Sequence, residues 1–503
     1  MAERENKVSI VIPPSPFLAD ERVFPSLGPL NVASALEEKG HPVDVLDLSG
    51  VENAEDVIDT YFNGHTVPYI GITSTTPQFP EAVKIAQFIR QKSPDTKIIL
   101  GGPHATMVNS AKKLDDQRGI EGRGTKAYEQ MTEIFDVCVA GDGERAIFEA
   151  MKSDAPQVID AGERVSPMFI QKNEIDDQPL PARHLIDLDT YHYQIDGKNA
   201  QSMISQLGCP FKCGFCGGRN TPSFRIARMR SIDSIMVEVD EMVSKYGYQG
   251  IMFYDDELNI SDKHLMDMMG GLIDYQRQNG VALRLRGFVK AELFTKEQAE
   301  AMYAAGFRVM LSGVESGDDE ILLTMQKNTT REINSRWVRL CHEAGLQAKA
   351  LMSIGHPGET PDSIKRSLNW VIENKPDEVD WTIITQYPGS PYFDQSVPHP
   401  TEAGVWVYTE PKTGNILYSR DMNYAEKAGY YKGIPGDYTS YVWTQHLTPQ
   451  ELVVYRDWCE DTSRKHLNIP PIESVAAKQF EHSMGQRNLP SSILRSTRER
   501  AKI

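Results

Sequence analysis

Cys209-Pro210-Phe211-Lys212-Cys213-Gly214-Phe215-Cys216 is the stretch on which the reading of this chain turns. Three of the six cysteines in 503 residues fall within these eight positions, spaced C-x3-C-x2-C. Thiolates this close converge on one ion or cluster, and iron–sulfur clusters take cysteine thiolates. A four-iron cube held by three local ligands leaves one iron open to a small molecule. Zinc is the rival reading. Structural zinc sites usually close with four ligands, commonly paired C-x2-C knuckles or histidines, and no second knuckle occurs here. Cys138, Cys341 and Cys459 stand singly in strand- or helix-like stretches and read as buried small side chains.

Working outward toward the C-terminus, about six strand–helix units follow. Predicted strands at 202–207, 250–254, 282–288, 308–314, 348–354 and 381–386 alternate with helices at 232–246, 263–278, 296–305, 319–323 with 331–344, and 363–373. Six such units form an open, partial (β/α) barrel, and barrels of this kind gather their active sites at the C-terminal strand ends. Tyr254-Asp255-Asp256-Glu257 ends the second strand and Arg286 the third. Gly313-Val314-Glu315-Ser316-Gly317 ends the fourth, Gly355-His356-Pro357-Gly358-Glu359 the fifth, and Tyr387-Pro388-Gly389-Ser390 the sixth. Singly each is a turn; five in register at consecutive strand ends are not explained as turns.

Toward the N-terminus, residues 1–155 alternate β-branched runs at 8–12, 43–46, 69–73, 97–100 and 137–140 with amphipathic stretches at 30–39, 54–62, 81–92 and 145–152. That order implies a doubly wound parallel sheet covered on both faces. Ligands of such sheets lie outside the C-terminal strand ends. There the sequence places Ser74-Thr75-Thr76, Gly101-Gly102-Pro103-His104 and Gly141-Asp142-Gly143-Glu144, which combine close backbone approach with hydrogen-bonding groups. Residues 107–130 read as a polar, charge-rich, solvated insertion. Residues 156–200, with Pro167, Pro179 and Pro181, read as an extended linker. Residues 395–503 do not continue the barrel. They carry Trp406, Tyr408, Tyr418, Tyr424, Tyr430, Tyr431, Tyr438, Tyr441 and Trp443, which suit a small capping region with an aromatic core, or the lining of a substrate cavity. A helix-like stretch runs from Pro449 to Lys465, and the basic tail RSTRERAKI reads as frayed.

The cysteine spacing, between a strand and Gly217-Gly218, resembles the radical SAM superfamily. The pieces PSLGPLNVASALEEKGHPVDVLD, GITSTT, GGPHAT and AGDGERA, in that order, resemble the cobalamin-binding domain that precedes many radical SAM enzymes. Together the resemblance spans about residues 5–395. It implies an α/β fold: a Rossmann-like cobalamin-binding domain over 1–155, the linker, a partial (β/α)6 barrel over 201–394 and a C-terminal cap over 395–503. It implies a [4Fe–4S] cluster on Cys209, Cys213 and Cys216, with S-adenosylmethionine (SAM) on the open iron. SAM contacts would come from Phe215, from Tyr254, Asp255, Asp256 and Glu257 around the methionine amino group, and from Arg286 at the carboxylate. Glu315 and Ser316 would meet the ribose, and Gly355, Pro357 and Gly358 the adenine. Ser74, Thr75, Gly101, Gly102, His104, Gly141 and Glu144 would hold the corrinoid. The sequence departs from many cobalamin domains in having no D-x-H-x-x-G, so a bound corrinoid would lack that lower histidine ligand.

As such family members work, one SAM methylates the corrinoid and a second is cleaved to a 5′-deoxyadenosyl radical that activates an unactivated carbon for methylation. The alternatives are a cyclase or ring-rearranging enzyme with the same cofactors, a methylthiolating enzyme, and a non-catalytic corrinoid- or cluster-binding sensor. Methylthiolation is disfavoured because Cys138 is the only cysteine of the N-terminal third. The partners implied are a small-molecule substrate and an external one-electron donor such as flavodoxin or ferredoxin.

Composition sets outer bounds. At about 100–200 residues per domain the length suggests roughly three domains. Lys+Arg number 53 and Asp+Glu 70, a formal charge of −17, which disfavours nucleic acid or an anionic membrane as partner. With 40% apolar residues, extensive disorder is excluded. No run reaches the ~18 apolar residues of a membrane span. The polar start MAERENK lacks signal-peptide features, so a reducing cytoplasm is expected, which also keeps thiolate ligands unoxidised.

Overall fold

The computed structural model describes residues 7–18, 20–51, 53–62, 67–426, 438–470 and 494–496. The N-terminal β-branched runs form strands β1 (Val8–Ile12), β2 (Val43–Asp47), β3 (Tyr69–Thr73), β4 (Lys97–Gly101) and β5 (Val137–Gly141). The stretch read as linker opens with a further strand, β6 (Val158–Ala161), pairing parallel to β5. The sheet order is 2-1-3-4-5-6, all parallel, with Leu494–Ser496 antiparallel on the β2 edge. Each face carries its own apolar core. One is built on Ile58, Phe79, Val83, Ile89, Val108 and Met131. The other is built on Leu30, Leu36, Ile147 and Met151, with Leu185 and Tyr191 from the linker. This is the doubly wound arrangement expected.

The polar stretch 107–130 is not a solvated loop. It lies in two helices, Pro103–Arg118 and Arg123–Ile134, packed on one another and on the sheet. Charged residues dominate its composition, but Val108, Ala111, Ala127 and Met131 recur at helical spacing and are buried. The turn between the helices is held by Asp115, whose carboxylate accepts from Thr125 N at 2.8 Å and Thr125 Oγ1 at 3.1 Å.

The barrel strands are β7 (Lys198–Met203), β8 (Gly250–Phe253), β9 (Arg284–Phe288), β10 (Phe307–Glu315), β11 (Gln347–Ile354) and β12 (Glu378–Ile383). They pair in that order, all parallel, and Gln194–Ile195 adds an antiparallel edge to β7. The barrel helices begin on Ser or Thr caps: Ser261, Thr295, Thr330 and Thr360 each accept from a backbone N–H one turn on. Caps of this kind contribute about 1 kcal/mol apiece and fix where each strand-end loop stops. Leu265, Met302, Trp337, Trp370 and Trp381 fill one continuous core outside the sheet.

The C-terminal region packs as a four-stranded antiparallel sheet, including Val405–Thr409 and Ile416–Arg420, followed by the helix Pro449–Leu467. Trp406, Tyr408 and Tyr438 are buried in it. Tyr430, Tyr431 and the tail beyond Ser496 lie outside the described residues. No helix among the described residues is long and apolar enough to cross a membrane.

Candidate active site at the junction of sheet and barrel

The loop carrying Cys209, Cys213 and Cys216 runs between the short antiparallel pair Gln206–Leu207 and Arg228–Met229. Its backbone is anchored from several sides. Gly214 N donates to Met325 O at 2.8 Å, Tyr392 N to Gly214 O at 3.1 Å, and Arg219 N to Gly389 O at 3.2 Å. Burial pushes the Cys209 thiol up to about 11, opposed by a hydrogen bond from the backbone at Phe211 and reinforced by Glu257, Asp256 and Cys213. Cys138, Cys341 and Cys459 are buried in core positions, so the loop's three thiols have no fourth cysteine beside them. Among the described residues no three His, Cys, Asp or Glu side chains are drawn together as a closed ion site. The thiols of the loop are close enough to influence one another's ionisation. Three thiols on one loop with no fourth cysteine suit a cube, which leaves one iron open, better than a zinc site closed by four ligands.

The Tyr254–Glu257 segment divides into four jobs. Tyr254 is 47% exposed and meets Phe24 edge-on at 5.5 Å. Asp255 turns inward. It accepts from Ser205 N at 3.0 Å, Ser205 Oγ at 2.6 Å and Gln206 N at 2.6 Å, pinning the chain just ahead of the cysteine loop. Burial pushes its pKa up to about 7 despite these bonds. Asp256 keeps part of its surface open, and the loss of water around its carboxyl raises its pKa against the opposing pull of the Gly208 backbone N–H. Glu257 is enclosed near Lys327 and Lys290; burial raises it to about 7 against the pull of both ammoniums.

Arg286 lies within β9 rather than at its end. Its guanidinium contacts the Tyr193 hydroxyl, 5.4 Å from that ring's centre. Glu315, at a left-handed φ of 63°, accepts from Lys327 Nζ at 3.2 Å and Ser353 Oγ at 2.7 Å. Ser316 is buried and bonds Ser367 Oγ at 2.9 Å and Asp318 N at 3.1 Å, so its hydroxyl serves the turn. Gly355, Pro357 and Gly358 form the turn after β11. His356 between them is buried, its pKa driven down to about 3 by burial, and its Nε2 meets Ser353 Oγ at 2.8 Å. Phe215 packs on Ile321, Leu322 and Met325 and stands 5.3 Å from the His356 ring. Lys327 and Lys290 were not reached from sequence. Lys327 lies in a polar QKN turn with no periodic signal, and only the fold brings it to Glu315.

Above the N-terminal sheet lies a cavity of about 430 Å3. Its floor is the C-terminal ends of β3, β4 and β5, with Thr75, Gly101, Gly102, Gly141 and Glu144 in the wall; its roof includes Gln206, Gly208, Phe224, Tyr254 and Asp256. Gly102, at φ 93°, lets the chain turn where a Cβ would stand 2.8 Å from Thr73 Oγ1. Burial and the neighbouring Asp142 push Glu144 up to about 7. Ser74 and His104 are not in the wall. Ser74 is buried and bonds Thr75 O at 2.7 Å. His104 is stacked on Phe79 at 4.0 Å with Nδ1 on Thr76 Oγ1 at 3.1 Å, and burial drives its pKa down to about 3. Helical phase explains this: His104 is the second residue of its helix and points into the core beneath the loop, a direction the GGPH spelling does not reveal.

A half-barrel with a three-cysteine loop at its mouth, facing a glycine-rimmed cavity on a doubly wound sheet, defines a radical SAM protein with a nucleotide-fold partner domain. Family models agree: the Radical SAM superfamily matches residues 203–371 and the B12 binding domain residues 20–132. The chain belongs to the cobalamin-dependent radical SAM enzymes, whose cofactors are a [4Fe–4S] cluster, SAM and cobalamin. It is 24% identical over 398 residues to an uncharacterized methyltransferase of Pyrococcus horikoshii, covering 78% of this chain and 83% of that one. It is 23% identical over 371 residues to the anaerobic magnesium-protoporphyrin IX monomethyl ester cyclase of Rubrivivax gelatinosus, covering 72% and 65%. Among solved structures, the radical SAM methyltransferase TsrM of Kitasatospora setae, with tryptophan and a SAM analogue bound, superposes with a TM-score of 0.59 at 21% identity, covering 80% of this chain and 79% of that one.

Proposed function

We propose that the chain methylates an unactivated carbon of a small-molecule substrate. One observation carries this reading: Tyr254 and Asp256, at the end of β8 beside the cysteine loop, also line the cavity above the N-terminal sheet. Two cofactor sites that share a wall can serve one substrate. When bound, the cluster and SAM supply a carbon-centred radical and cobalamin supplies the methyl group.

The chain's part is to hold and to orient. Cys209, Cys213 and Cys216 bind the cluster as thiolates. Glu257 accepts from the methionine ammonium of SAM, and Arg286 offers a guanidinium to its carboxylate. Glu315 accepts from the ribose hydroxyls. Phe215 and the turn at Gly355, Pro357 and Gly358 border the adenine. Thr75, Gly101, Gly102, Gly141 and Glu144 hold the corrinoid; with a pKa near 7, Glu144 both donates to and accepts from amide side chains. The aromatic C-terminal sheet shields the mouth from water. A one-electron donor such as flavodoxin or ferredoxin reduces the cluster, in a reducing compartment such as the cytoplasm.

The test is anaerobic reconstitution with methyl-13C-labelled SAM, cobalamin and reduced flavodoxin, in the presence of a small-metabolite extract. Label should appear first on the corrinoid and then in a product, and Cys213→Ala should abolish both. A label-free product formed alongside 5′-deoxyadenosine would move the assignment to cyclisation, the activity named for the Rubrivivax relative. Identical behaviour of wild type and Cys213→Ala would sink the enzyme reading.

A further inference from the structure

The loop joining the helices Asp319–Thr324 and Arg331–Glu343 is bent at a cost. Gln326 and Asn328 take left-handed φ values of 56° and 58°, and Lys327 between them is turned inward to 7% exposure. Glu315, which meets it, is left-handed as well. A left-handed backbone at non-glycine residues is retained where the surroundings enforce it, often at functional sites. Here three strained residues converge on one ammonium. Gly313 leaves the room, since a Cβ there would stand 2.7 Å from Lys327 Nζ. Its Nζ donates to Glu315 Oε1 at 3.2 Å, and both side chains of the pair are largely shut away from solvent. The same loop grips the cysteine loop through Met325 O on Gly214 N. A second ammonium, Lys290, is 4% exposed, sits 4.5 Å from the Phe211 ring centre and donates to Lys327 O at 3.4 Å.

We propose that Lys327 is a positioning residue that sets the reduction potential of the cluster held by Cys209, Cys213 and Cys216, by fixing a buried ammonium behind the cysteine loop that its own loop grips at Gly214. The inference rests on the cysteine loop being a cluster site. Reduction adds one electron from the external donor to a cluster already ligated by three thiolates, and breaks no bond. A desolvated cation next to that electron favours the reduced form, because local charge is one of the protein's controls over cluster potential and low-dielectric surroundings strengthen it.

The experiment is a potentiometric titration followed by electron paramagnetic resonance (EPR), on anaerobically reconstituted full-length protein without SAM. Lys327→Met should lower the midpoint by the equivalent of at least tenfold in the reduction equilibrium, 59 mV for one electron. Lys327→Arg should stay within threefold of wild type. Because Lys327→Met leaves Glu315 buried and unpaired, a second comparison sets Glu315→Gln against the Glu315→Gln/Lys327→Met double variant; the double variant should again be tenfold harder to reduce. Equal midpoints at equal iron content in either comparison would overturn the proposal. Loss of iron in every variant lacking the lysine, with Lys327→Arg intact, would overturn it too, assigning the lysine to assembly. A wild type that binds no four-iron cluster would overturn the cluster reading itself.

Discussion

Glu359 shows what a single carboxyl does here. Its Oε1 accepts from Ser363 Oγ at 2.6 Å, while Oε2 is buried without a partner. Burial raises its pKa from an ordinary 4.5 to about 7. A raised folded-state pKa means that the folded protein holds this proton more tightly, so the group's contribution to stability is complete below about pH 4.5 and is lost as pH rises through 7. Glutamine copies the protonated form. Glu359→Gln should therefore gain stability relative to wild type between pH 4.5 and 7 and hold that gain above it, read as the difference in thermal midpoints of the two apoproteins. A flat difference across the window would contradict the assignment. At this scale the sequence was partly legible. The three cysteines announce themselves because ligand spacing is local. Lys327 does not, because its meaning comes from Glu315 and the cysteine loop, which other elements deliver. His104 misleads for the converse reason: its loop spells a ligand site, but the helix turns the ring onto Phe79.

At the scale of elements, strand ends were legible and their division of labour was not. Tyr254, Asp255, Asp256 and Glu257 are consecutive, yet backbone geometry sends them to the cavity above the N-terminal sheet, to the Ser205–Gln206 turn and toward Lys327. Asp255→Ala would leave three donors in that turn without an acceptor, at about 1–3 kcal/mol for a buried unsatisfied group. Chemical denaturation should show a loss of that size, and iron retention should fall with it. The helix pair 103–118 and 123–134 escaped the sequence reading because its composition is polar. The packing behind it is tight: a Cβ at Gly124 would stand 2.6 Å from Ala111 C. Gly124→Leu should destabilise the N-terminal domain by at least the 1–3 kcal/mol of an overpacked contact, visible as a lowered denaturation midpoint. An unchanged midpoint would mean that the helices do not pack as described.

Across the whole molecule, sheet and barrel are bolted together by buried arginines. Arg228, next to the cysteine loop, forks onto Asp142 of the N-terminal domain at 2.5 and 3.0 Å and also donates to Ile170 O at 2.9 Å. Arg123 reaches from the N-terminal domain to Gln386 at 2.9 Å and Ser419 at 2.9 Å, its guanidinium 4.1 Å from the Phe393 ring centre. Removing one partner of a buried pair costs about 3–5 kcal/mol, because the other charge is left unpaired. Asp142→Ala should lower stability on that scale and weaken cobalamin retention on gel filtration. Retention equal to wild type would separate the pair from the cavity it borders. A chain of net charge −17 thus sets buried arginines, each with its acceptors, across the junctions between its domains, which overall composition conceals.

The central claim is that Cys209, Cys213 and Cys216 hold a four-iron cluster with one iron open to SAM. The EPR spectrum of the dithionite-reduced, reconstituted protein, with and without SAM, tests it most directly. A [4Fe–4S]+ signal that changes on adding SAM and is absent in Cys213→Ala is expected. A signal indifferent to SAM, or no four-iron signal in the wild type, would contradict it.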